Sequence, residues 1–249
     1  MSPACSARGP PSASEQPTIC PHQHPYAPNL ALAQKRKHSA AKKPPVGGDR
    51  DAEVRIIGGR FRGRRLNYHG DPVVRPMKHR TREAIFNLIS TGCDGRHAVD
   101  LFAGTGALGL EAISRGSPSA TFIEKHVPTA RVVEENIRAL GVEDQSTVVV
   151  TSAFLWAKRD LPTSIQSTLP WLAFCSPPYA FFRDRLDDMR DLVARVRQHA
   201  PHDSLLIVEA EEPFDFSTLK DSSDESHVAD DWDIRTYAPA IVGIWHKAT

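Results

Sequence analysis

A Ser-Pro-Pro-Tyr motif at residues 176–179 directly follows the apolar run Trp171–Cys175. The run is short and uninterrupted, as expected of a strand that is buried on both faces of a parallel sheet. Proline has no N–H for the ladder and restricts the residue before it, so the two prolines must end the strand in a stiff turn. Ligands of open α/β sheets bind at the carboxyl ends of the strands, which makes this turn a candidate site.

A glycine-rich loop is predicted between an earlier strand and the helix that follows it. Gly104, Gly106 and Gly109 form G-x-G-x-x-G, and Glu124 ends the next strand 20 residues after Gly104. Glycines let a backbone approach a ligand, a helix N-terminus offers N–H groups, and a carboxylate at the next strand end can accept hydrogen bonds from ribose hydroxyls. The pattern predicts a binding site for a cofactor of adenosine type, either a nicotinamide dinucleotide or S-adenosylmethionine. Three residues favour the second, because D-x-F-x-G-x-G after a strand begins many methyltransferases: Asp100, Phe102 and Ala103.

The two features together fit methylation of an exocyclic amino group. Such a nitrogen is a poor nucleophile, because its lone pair is delocalised into the base. A side-chain oxygen and a backbone carbonyl fixed by the prolines can accept its two hydrogens and turn the lone pair toward the donor, while Tyr179 offers a stacking surface. We therefore predict four catalytic residues: Ser176, Pro177, Pro178 and Tyr179. Positioning for in-line attack, rather than strong base catalysis, would supply most of the acceleration.

An alternation of strands and helices must position these residues. Strands are predicted at 97–102, 120–124, 147–150, 171–175 and 204–210, with helices at about 106–115, 128–140, 153–160 and 183–199. This order predicts a doubly wound α/β fold with a parallel sheet. Two last strands, 232–237 and 240–247, are joined by a short turn and must therefore be antiparallel.

The first 52 residues differ from the rest in composition. They are rich in proline, serine and alanine and carry basic pieces at 35–38 and 41–43. Little there can bury a core, so we predict a disordered tail over residues 1–52. Residues 53–92 predict a small β-hairpin or extended arm followed by a helix, and residues 96–249 predict the catalytic core.

Charge distribution and composition indicate an anion-binding face and argue against a structural metal site or a membrane helix. The 249 residues carry a formal net charge of +1, but nine basic residues stand against one acid between Arg55 and Arg82, which indicates a face that meets an anion. The four cysteines lack C-x-x-C spacing, so no structural metal site is expected. Apolar runs fall short of the roughly 18 residues of a membrane helix, and no signal-peptide core occurs, so we expect a cytoplasmic protein.

From Arg55 onward the chain resembles the RsmD-type 16S ribosomal RNA guanine-N2 methyltransferases. The matching stretches are RIIGGRFRGRRL (55–66), RPMKHRTREAIFNL (75–88), DLFAGTGALGLEAISRG (100–116), FIEK (122–125) and SPPY (176–179). The first two are specific to this family, whereas the glycine loop and PPY are shared with many methyltransferases. The resemblance implies a class I methyltransferase fold, which is Rossmann-like, with S-adenosylmethionine as donor and a guanine of 16S rRNA in an assembling small ribosomal subunit as acceptor. A monomer is expected.

The resemblance also implies binding residues. The loop at 102–106 would hold the methionine part of the donor and Glu124 its ribose. The cofactor-binding set is Asp100, Phe102, Ala103, Gly104, Thr105, Gly106, Glu124, Lys125, Ser152 and Ala153. RNA phosphates would be bound by Arg60, Arg62, Arg64, Arg65, Arg75, Arg80 and Arg82, which is consistent with the local excess of basic charge.

Departures from the family pattern leave alternatives open. The family usually has Asp or Asn where this chain has Ser176, and often an acid near Ser152. Ser-Pro-Pro-Tyr also occurs in enzymes that methylate the N4 amine of cytosine, so one alternative is an exocyclic amine of cytosine or adenine in RNA or DNA. A second is a catalytically weakened RNA-binding assembly factor. A dinucleotide oxidoreductase would explain the glycine loop and Glu124 but neither the Ser-Pro-Pro-Tyr motif nor the arginines.

Overall fold

The computed structural model describes residues 53–68, 77–165, 167–219 and 232–248. The tail predicted over residues 1–52 lies outside the described residues. The strands in the described part are β1 (Val54–Arg55), β2 (Arg65–Leu66), β3 (His97–Asp100), β4 (Ala120–Ile123), β5 (Ser146–Val149), β6 (Trp171–Cys175), β7 (Leu205–Glu211), β8 (Asp233–Tyr237) and β9 (Ala240–His246). The first two pair with each other, and the other seven form one sheet in the order β5-β4-β3-β6-β7-β9-β8.

The pairing confirms a mostly parallel sheet with an antiparallel end. Strands β5, β4, β3, β6 and β7 run parallel to one another. Strand β9 is antiparallel to both β7 and β8. Tyr237 lies opposite Ala240, so the two-residue connection at Ala238 and Pro239 leaves no room for the crossover that a parallel pair requires.

One helix precedes the first parallel strand, and the others occupy the connections between the parallel strands. They are α1 (His79–Ile89), α2 (Ala107–Ser114), α3 (Val127–Leu140), α4 (Ala153–Arg159), α5 (Leu161–Ser164), α6 (Phe181–Asp184) and α7 (Leu186–His199). The single helix predicted over about 183–199 is instead two, because Arg185 leaves the helical region with φ −142° and ψ 36°. None of the helices that the structure describes has the length and apolar character needed to cross a bilayer.

Both faces of the sheet are covered by apolar side chains. In β6, Leu172 and Phe174 pack on the face that carries α1, α2 and α3. Trp171, Ala173 and Cys175 point to the other face, toward α4 and α7. All five side chains are buried, which explains why this strand shows a continuous apolar run instead of alternation.

A short hairpin of β1 and β2 forms the arm, which we define as residues 53–68. Val54 pairs with Leu66 and Arg55 with Arg65, which confirms the predicted hairpin. The arm is fixed to α2 by the fully buried Glu111, whose carboxylate accepts the backbone N–H groups of Ile57 and Gly58, each at 2.7 Å. Because α2 begins at the glycine loop, these bonds tie the arm to the predicted cofactor site.

Arg82 is a correction to the predicted RNA-binding set. Its side chain is only 1% exposed, and Nη2 donates to the backbone carbonyl of Arg55 at 2.6 Å. Burial lowers its pKa, and the charge of Glu111 opposes that shift. A guanidinium that is enclosed between α1 and the arm cannot reach an RNA phosphate, so Arg82 has a structural role.

Candidate active site

The glycine loop and the Ser-Pro-Pro-Tyr motif begin at the same edge of the sheet. Strands β3 and β6 are parallel neighbours, with Asp100 opposite Phe174. The N–H of Leu101 donates to the carbonyl of Phe174 at 3.0 Å, so the pairing continues to the point where both strands end. Two sequence features that lie about 70 residues apart in the chain are thereby brought to adjacent positions.

The backbone of the glycine loop is tightly wound. Gly104 and Gly106 have φ values of +53° and +78°, in the left-handed region that disfavours other residues. The N–H of Gly106 donates to the carbonyl of Ala103 at 2.7 Å. Position 109 requires glycine for a different reason. A Cβ there would lie 2.4 Å from the ring of Phe122, so glycine lets α2 pack closely on β4.

Asp100, at the end of β3, is hydrogen-bonded to the helix that follows this loop. Its Oδ2 accepts the N–H of Gly109 at 3.2 Å, while the buried Oδ1 has no hydrogen-bond partner. Burial raises the pKa of Asp100 to about 7, and the charge of Glu124 adds to the rise. The end of β3 therefore carries a buried carboxylate oxygen without a partner among the described residues, beside the N–H of Phe102, which favours the ionised form.

Glu124 closes the loop from the neighbouring strand. Its Oε2 accepts the N–H of Gly104 at 3.0 Å, and its Oε1 accepts the N–H of His126 at 2.8 Å. Each oxygen has one further lone pair, so the carboxylate can accept additional hydrogen bonds in this orientation. The geometry suits the ribose contact that the sequence predicts.

Other predicted cofactor residues lie around the same edge. Ser152 caps α4 by accepting the N–H of Leu155 at 3.1 Å, and Ala153 begins that helix. Thr105 is buried, and its carbonyl accepts from Asn136 Nδ2 at 2.9 Å. Phe102 and Lys125 take part in an aromatic cluster with residues that the sequence interpretation missed.

That aromatic cluster joins the cofactor side to the Ser-Pro-Pro-Tyr side. Phe102, Phe154 and Phe181 have ring centroids 5.8–6.2 Å apart. The Arg185 guanidinium lies 4.1 Å from the Phe154 centroid, and Lys125 Nζ lies 5.6 Å from that of Phe181. Rings with cations over their faces gain about 0.5–2 kcal/mol per pair, so the cluster holds the loop after β3 against the turn after β6.

A buried amide links the arm to the glycine loop. Asn136 on α3 accepts the N–H of Asn67 at 2.6 Å and donates to its carbonyl at 3.1 Å. The same Nδ2 reaches Thr105 in the loop. Asn136 was missed from the sequence, although a polar residue on the apolar face of an amphipathic helix is a usable signal.

The Ser-Pro-Pro-Tyr turn is arranged around a buried acid. Glu209, on the adjacent strand β7, is 5% exposed. Ser176 Oγ donates to its Oε2, and Tyr179 Oη donates to its Oε1 at 2.9 Å. Burial raises the pKa of Glu209, against the opposing effect of these two hydrogen bonds. Burial, and then the charge of Glu209, raise the pKa of Tyr179.

Glu209 is the main residue that sequence reasoning missed. A signal was present, since Glu209 interrupts the apolar strand LLIVEAE of β7 and buried acids are uncommon without a partner. Which residues would meet it depended on the register of β7 with β6, in which Val208 lies opposite Cys175. The four motif residues predicted as catalytic do lie together at the strand end.

The predicted RNA-binding arginines differ in how they are held. Arg62 is exposed, and no hydrogen bond or ion pair of its guanidinium occurs within the described residues. Arg60 donates to Gln145 at 2.6 Å, Arg64 donates to the Ala139 carbonyl at 2.5 Å, and Arg65 forms an ion pair with Glu53. Arg80 is exposed on α1, while Arg75 lies outside the described residues.

A separate cavity of about 230 Å³ lies away from this edge. The arm, the end of α2 and the residues just before β4 and β5 line it, which places it toward the amino ends of the strands. The lining residues are Arg60, Ile113, Ser114, Gly116, Ser117, Pro118 and Gln145. None of the predicted cofactor or catalytic residues lines it. In the described part of the chain, no group of three His, Cys, Asp or Glu side chains is arranged to hold a metal ion.

Comparison with known sequences identifies related proteins. A family model described as Conserved hypothetical protein 95 matches residues 54–223. The "Ribosomal RNA small subunit methyltransferase D" of Escherichia coli strain K12 is 34% identical over 138 residues, which cover 55% of this chain and 65% of that protein. The "Putative rRNA methyltransferase YlbH" of Bacillus subtilis strain 168 is 35% identical over 128 residues, 51% of this chain and 67% of that protein. The matched part of this chain thus spans slightly under two thirds of the length of the first relative.

Comparison with solved structures shows the fold. The "Putative methyltransferase yhhF from Escherichia coli" aligns with a TM-score of 0.59 at 24% identity, covering 79% of this chain and 99% of that chain. The seven-stranded, mostly parallel sheet with its antiparallel C-terminal hairpin therefore has the class I methyltransferase fold, as the sequence resemblance implied.

Proposed function

This chain belongs to the family described as Conserved hypothetical protein 95, the RsmD family that its motifs resemble, and we propose that it is an rRNA methyltransferase. It transfers a methyl group from S-adenosylmethionine to the exocyclic N2 amine of a guanine in 16S rRNA. The substrate is the RNA within an assembling small ribosomal subunit, and the enzyme acts as a monomer in the cytoplasm. Residues 96–249 carry the catalysis, and residues 53–92 guide the RNA.

One observation carries the proposal. The parallel pairing of β3 with β6 places the glycine loop beside the Ser-Pro-Pro-Tyr turn. A donor held on the first and an amine held on the second would lie next to each other, which is the arrangement that direct methyl transfer needs. If the protein were a dinucleotide oxidoreductase, the Ser-Pro-Pro-Tyr turn would have no role.

The cofactor side fits a donor with hydroxyl and ammonium groups. The unpartnered Asp100 Oδ1 and the spare lone pairs of Glu124 are acceptors at this edge. The residues proposed to hold the donor are those predicted from the sequence, with Glu124 on the ribose and Ser152 and Ala153 beside the adenine. S-adenosylmethionine, when bound, supplies an activated methyl group on a sulfonium.

The target side fits an amine with two N–H hydrogens. Ser176 Oγ accepts one of them. The Pro178 carbonyl already accepts the N–H of Phe181 at 2.9 Å, so we assign the second acceptor to the carbonyl of Pro177. The ring of Tyr179 stacks on the base. Two acceptors in fixed positions rotate the amine so that its lone pair, rather than an N–H, faces the donor.

The RNA side is built from exposed cations of the arm and of α1. Arg62 and Arg80 are proposed to bind phosphates directly, while Arg60, Arg64 and Arg65 exchange their present partners for phosphate. Arg75 completes the set in this proposal. Contacts of this kind strengthen binding without reading sequence, so base choice rests with the Ser-Pro-Pro-Tyr turn.

The proposal is tested by methyl transfer from radiolabelled S-adenosylmethionine to unmodified small ribosomal subunits, with digestion of the RNA to nucleosides. Label in N2-methylguanosine is the expected result, and Tyr179→Ala, which removes the stacking ring, should abolish most of it. Label in cytidine or adenosine would overturn the target base while keeping the chemistry. No label, with RNA binding intact, would identify a binding factor instead of an enzyme.

Arg62→Ala tests the phosphate contacts. Because this guanidinium has no partner in the described residues to lose, its removal should weaken RNA binding without destabilising the fold. The slope of log affinity against log salt should fall by about 0.7 for a contact to single-stranded RNA. Affinity measured at several salt concentrations gives this slope, and Arg235→Ala on β8 is the matched control. An unchanged slope would place Arg62 away from the RNA.

A further inference from the structure

The contacts of Glu209 determine how Ser176 can act. A serine hydroxyl has one hydrogen to donate and two lone pairs that accept. Here the hydrogen is directed to Glu209 Oε2. As long as Glu209 is ionised, Ser176 Oγ can only accept from any further partner, and an exocyclic amine is a donor.

The second oxygen of Glu209 fixes the neighbouring ring. Tyr179 Oη donates to Oε1 at 2.9 Å, so the ring and the hydroxyl on either side of Pro177 and Pro178 are held by one carboxylate. Since Glu209 belongs to β7, its position is set by the sheet and not by the turn. The carboxylate therefore fixes the geometry of the turn from a rigid element.

The surroundings leave the charge of Glu209 uncompensated. In the described part of the chain no Lys, Arg or His forms an ion pair with it. Glu211, the nearest further acid on β7, is paired with Arg183 at 3.4 Å. Cys175, at the end of β6, is a buried thiol, and Val242 of β9 lies opposite Glu209. Burial without a cation raises the pKa of Glu209, which makes it a better proton acceptor than an exposed carboxylate.

We propose, resting on the proposed function, that Glu209 is a positioning residue for methyl transfer: it commits Ser176 to accepting the amine and takes up the surplus proton through the Ser176 hydroxyl. As the N–CH₃ bond forms, the S–CH₃ bond breaks and its electron pair neutralises the sulfonium. The nitrogen, now cationic, gives a proton to Ser176 Oγ, and Ser176 gives its own proton to Glu209. A serine can then stand at the motif's first position, because the carboxylate comes from the adjacent strand.

The first test is Glu209→Gln in the full chain, compared with Glu211→Gln on the same strand. Glutamine keeps the shape but can donate to Ser176, which turns the serine hydrogen toward the amine. We expect turnover to fall about 10- to 100-fold, as for loss of a charged hydrogen bond. Binding of S-adenosylhomocysteine by calorimetry should be unchanged in both variants. Full turnover in Glu209→Gln would overturn the inference.

A merely structural Glu209 is distinguished by three readouts. In the wild type, turnover should fall at low pH as Glu209 takes a proton, and this limb should be absent in Glu209→Gln but present in Glu211→Gln. The double variant Ser176→Ala/Glu209→Gln should be no slower than Ser176→Ala, because both act along one path. Ser176→Asp/Glu209→Gln, which keeps a single carboxylate in the turn, should recover turnover relative to Glu209→Gln. Independent, multiplying losses and no recovery would contradict the proposal.

A readout without substrate separates this inference from the proposed function. Burial raises the pKa of Tyr179, and the charge of Glu209 raises it further. Ultraviolet titration should therefore show one tyrosine ionising at lower pH in Glu209→Gln, and Tyr179→Phe identifies it. An unchanged titration would remove the contact on which the inference depends. If the methyl label is found in cytidine, the proposed function fails, yet the turnover comparisons still test Glu209, because any exocyclic amine meets the same hydroxyl.

Discussion

Two buried glutamates, Glu111 on α2 and Glu209 on β7, are held by different kinds of donor. Glu111 accepts two backbone N–H groups of the arm and pairs with Arg115, whose Nε lies 2.7 Å away. Among the described residues, Glu209 accepts only from the hydroxyls of Ser176 and Tyr179. Glu111 is held by a cation and by backbone amides whose direction is fixed by the chain. Glu209 is held by hydroxyl groups, which can rotate and exchange protons.

The same difference separates the two halves of the proposed active site. The carboxylates of the cofactor half, Asp100 and Glu124, also accept backbone N–H groups. Backbone amides bound in this way hold the loop in one conformation, although burial still raises the pKa of Asp100 to about 7. The target half relies on side-chain hydroxyls, so it can change its protonation state without moving the backbone. The proposed cofactor half is thus held by backbone amides, whereas the proposed target half is held by side-chain hydroxyls that can pass on a proton.

The largest expected effect concerns the amide-bound carboxylate Glu111. Glu111→Gln removes the charge opposite Arg115 and one of the acceptors for the arm, which should lower the free energy of unfolding by about 3–5 kcal/mol, as for a broken buried pair. Denaturant unfolding measures this loss, with Glu143→Gln on an exposed turn as the control. A loss below about 1 kcal/mol would show that Glu111 is not more firmly held than Glu209.

Glu124→Ala tests whether this amide-bound carboxylate also binds the methyl donor. Loss of its hydrogen bonds should weaken donor binding by about 1.5–3 kcal/mol, or about 10- to 100-fold. Calorimetry with S-adenosylhomocysteine gives the dissociation constant, and Glu143→Gln again serves as the control. Unchanged affinity would mean that Glu124 only ties Gly104 to the strand end.

Asp100→Asn tests how the cofactor half depends on pH. The pKa of Asp100 is raised to about 7, above its unfolded value near 4, so the folded state binds this proton more tightly. The stability that Asp100 contributes is therefore present below about pH 4 and is lost as pH rises through about 7. Between pH 5 and 7 the wild type should lose roughly 2 kcal/mol more than Asp100→Asn. Equal losses in denaturant unfolding would contradict this assignment.

Tyr179→Phe has the smallest expected effect and tests one of the two hydroxyl donors of Glu209. It removes one hydroxyl from Glu209 but keeps the ring, so the free energy of unfolding should change by about 1 kcal/mol or less. Turnover should fall only a few-fold, and donor affinity should not change. If Tyr179→Phe were as inactive as Tyr179→Ala, the hydroxyl and not the ring would be the important group.

Much of the fold could be read from local patterns. The buried strand Trp171–Cys175, the left-handed glycines before α2 and the tight turn before β9 follow from rules that act on neighbouring residues. Such rules miss a break like that at Arg185, where an α-compatible sequence leaves the helix and its guanidinium stacks on Phe154. The family resemblance was confirmed by the match to residues 54–223.

The sequence by itself determined the order of strands and helices, the glycine loop with Glu124, and the Ser-Pro-Pro-Tyr turn, because glycine, proline and apolar periodicity act over a few bonds. Only the tertiary structure decided that Arg82 is enclosed beneath the arm and that Glu209 meets Ser176 and Tyr179. Both outcomes depend on which strands and helices become neighbours and in what register. A one-residue shift of β7 against β6 would turn Glu209 to the other face of the sheet, and no local pattern encodes that register.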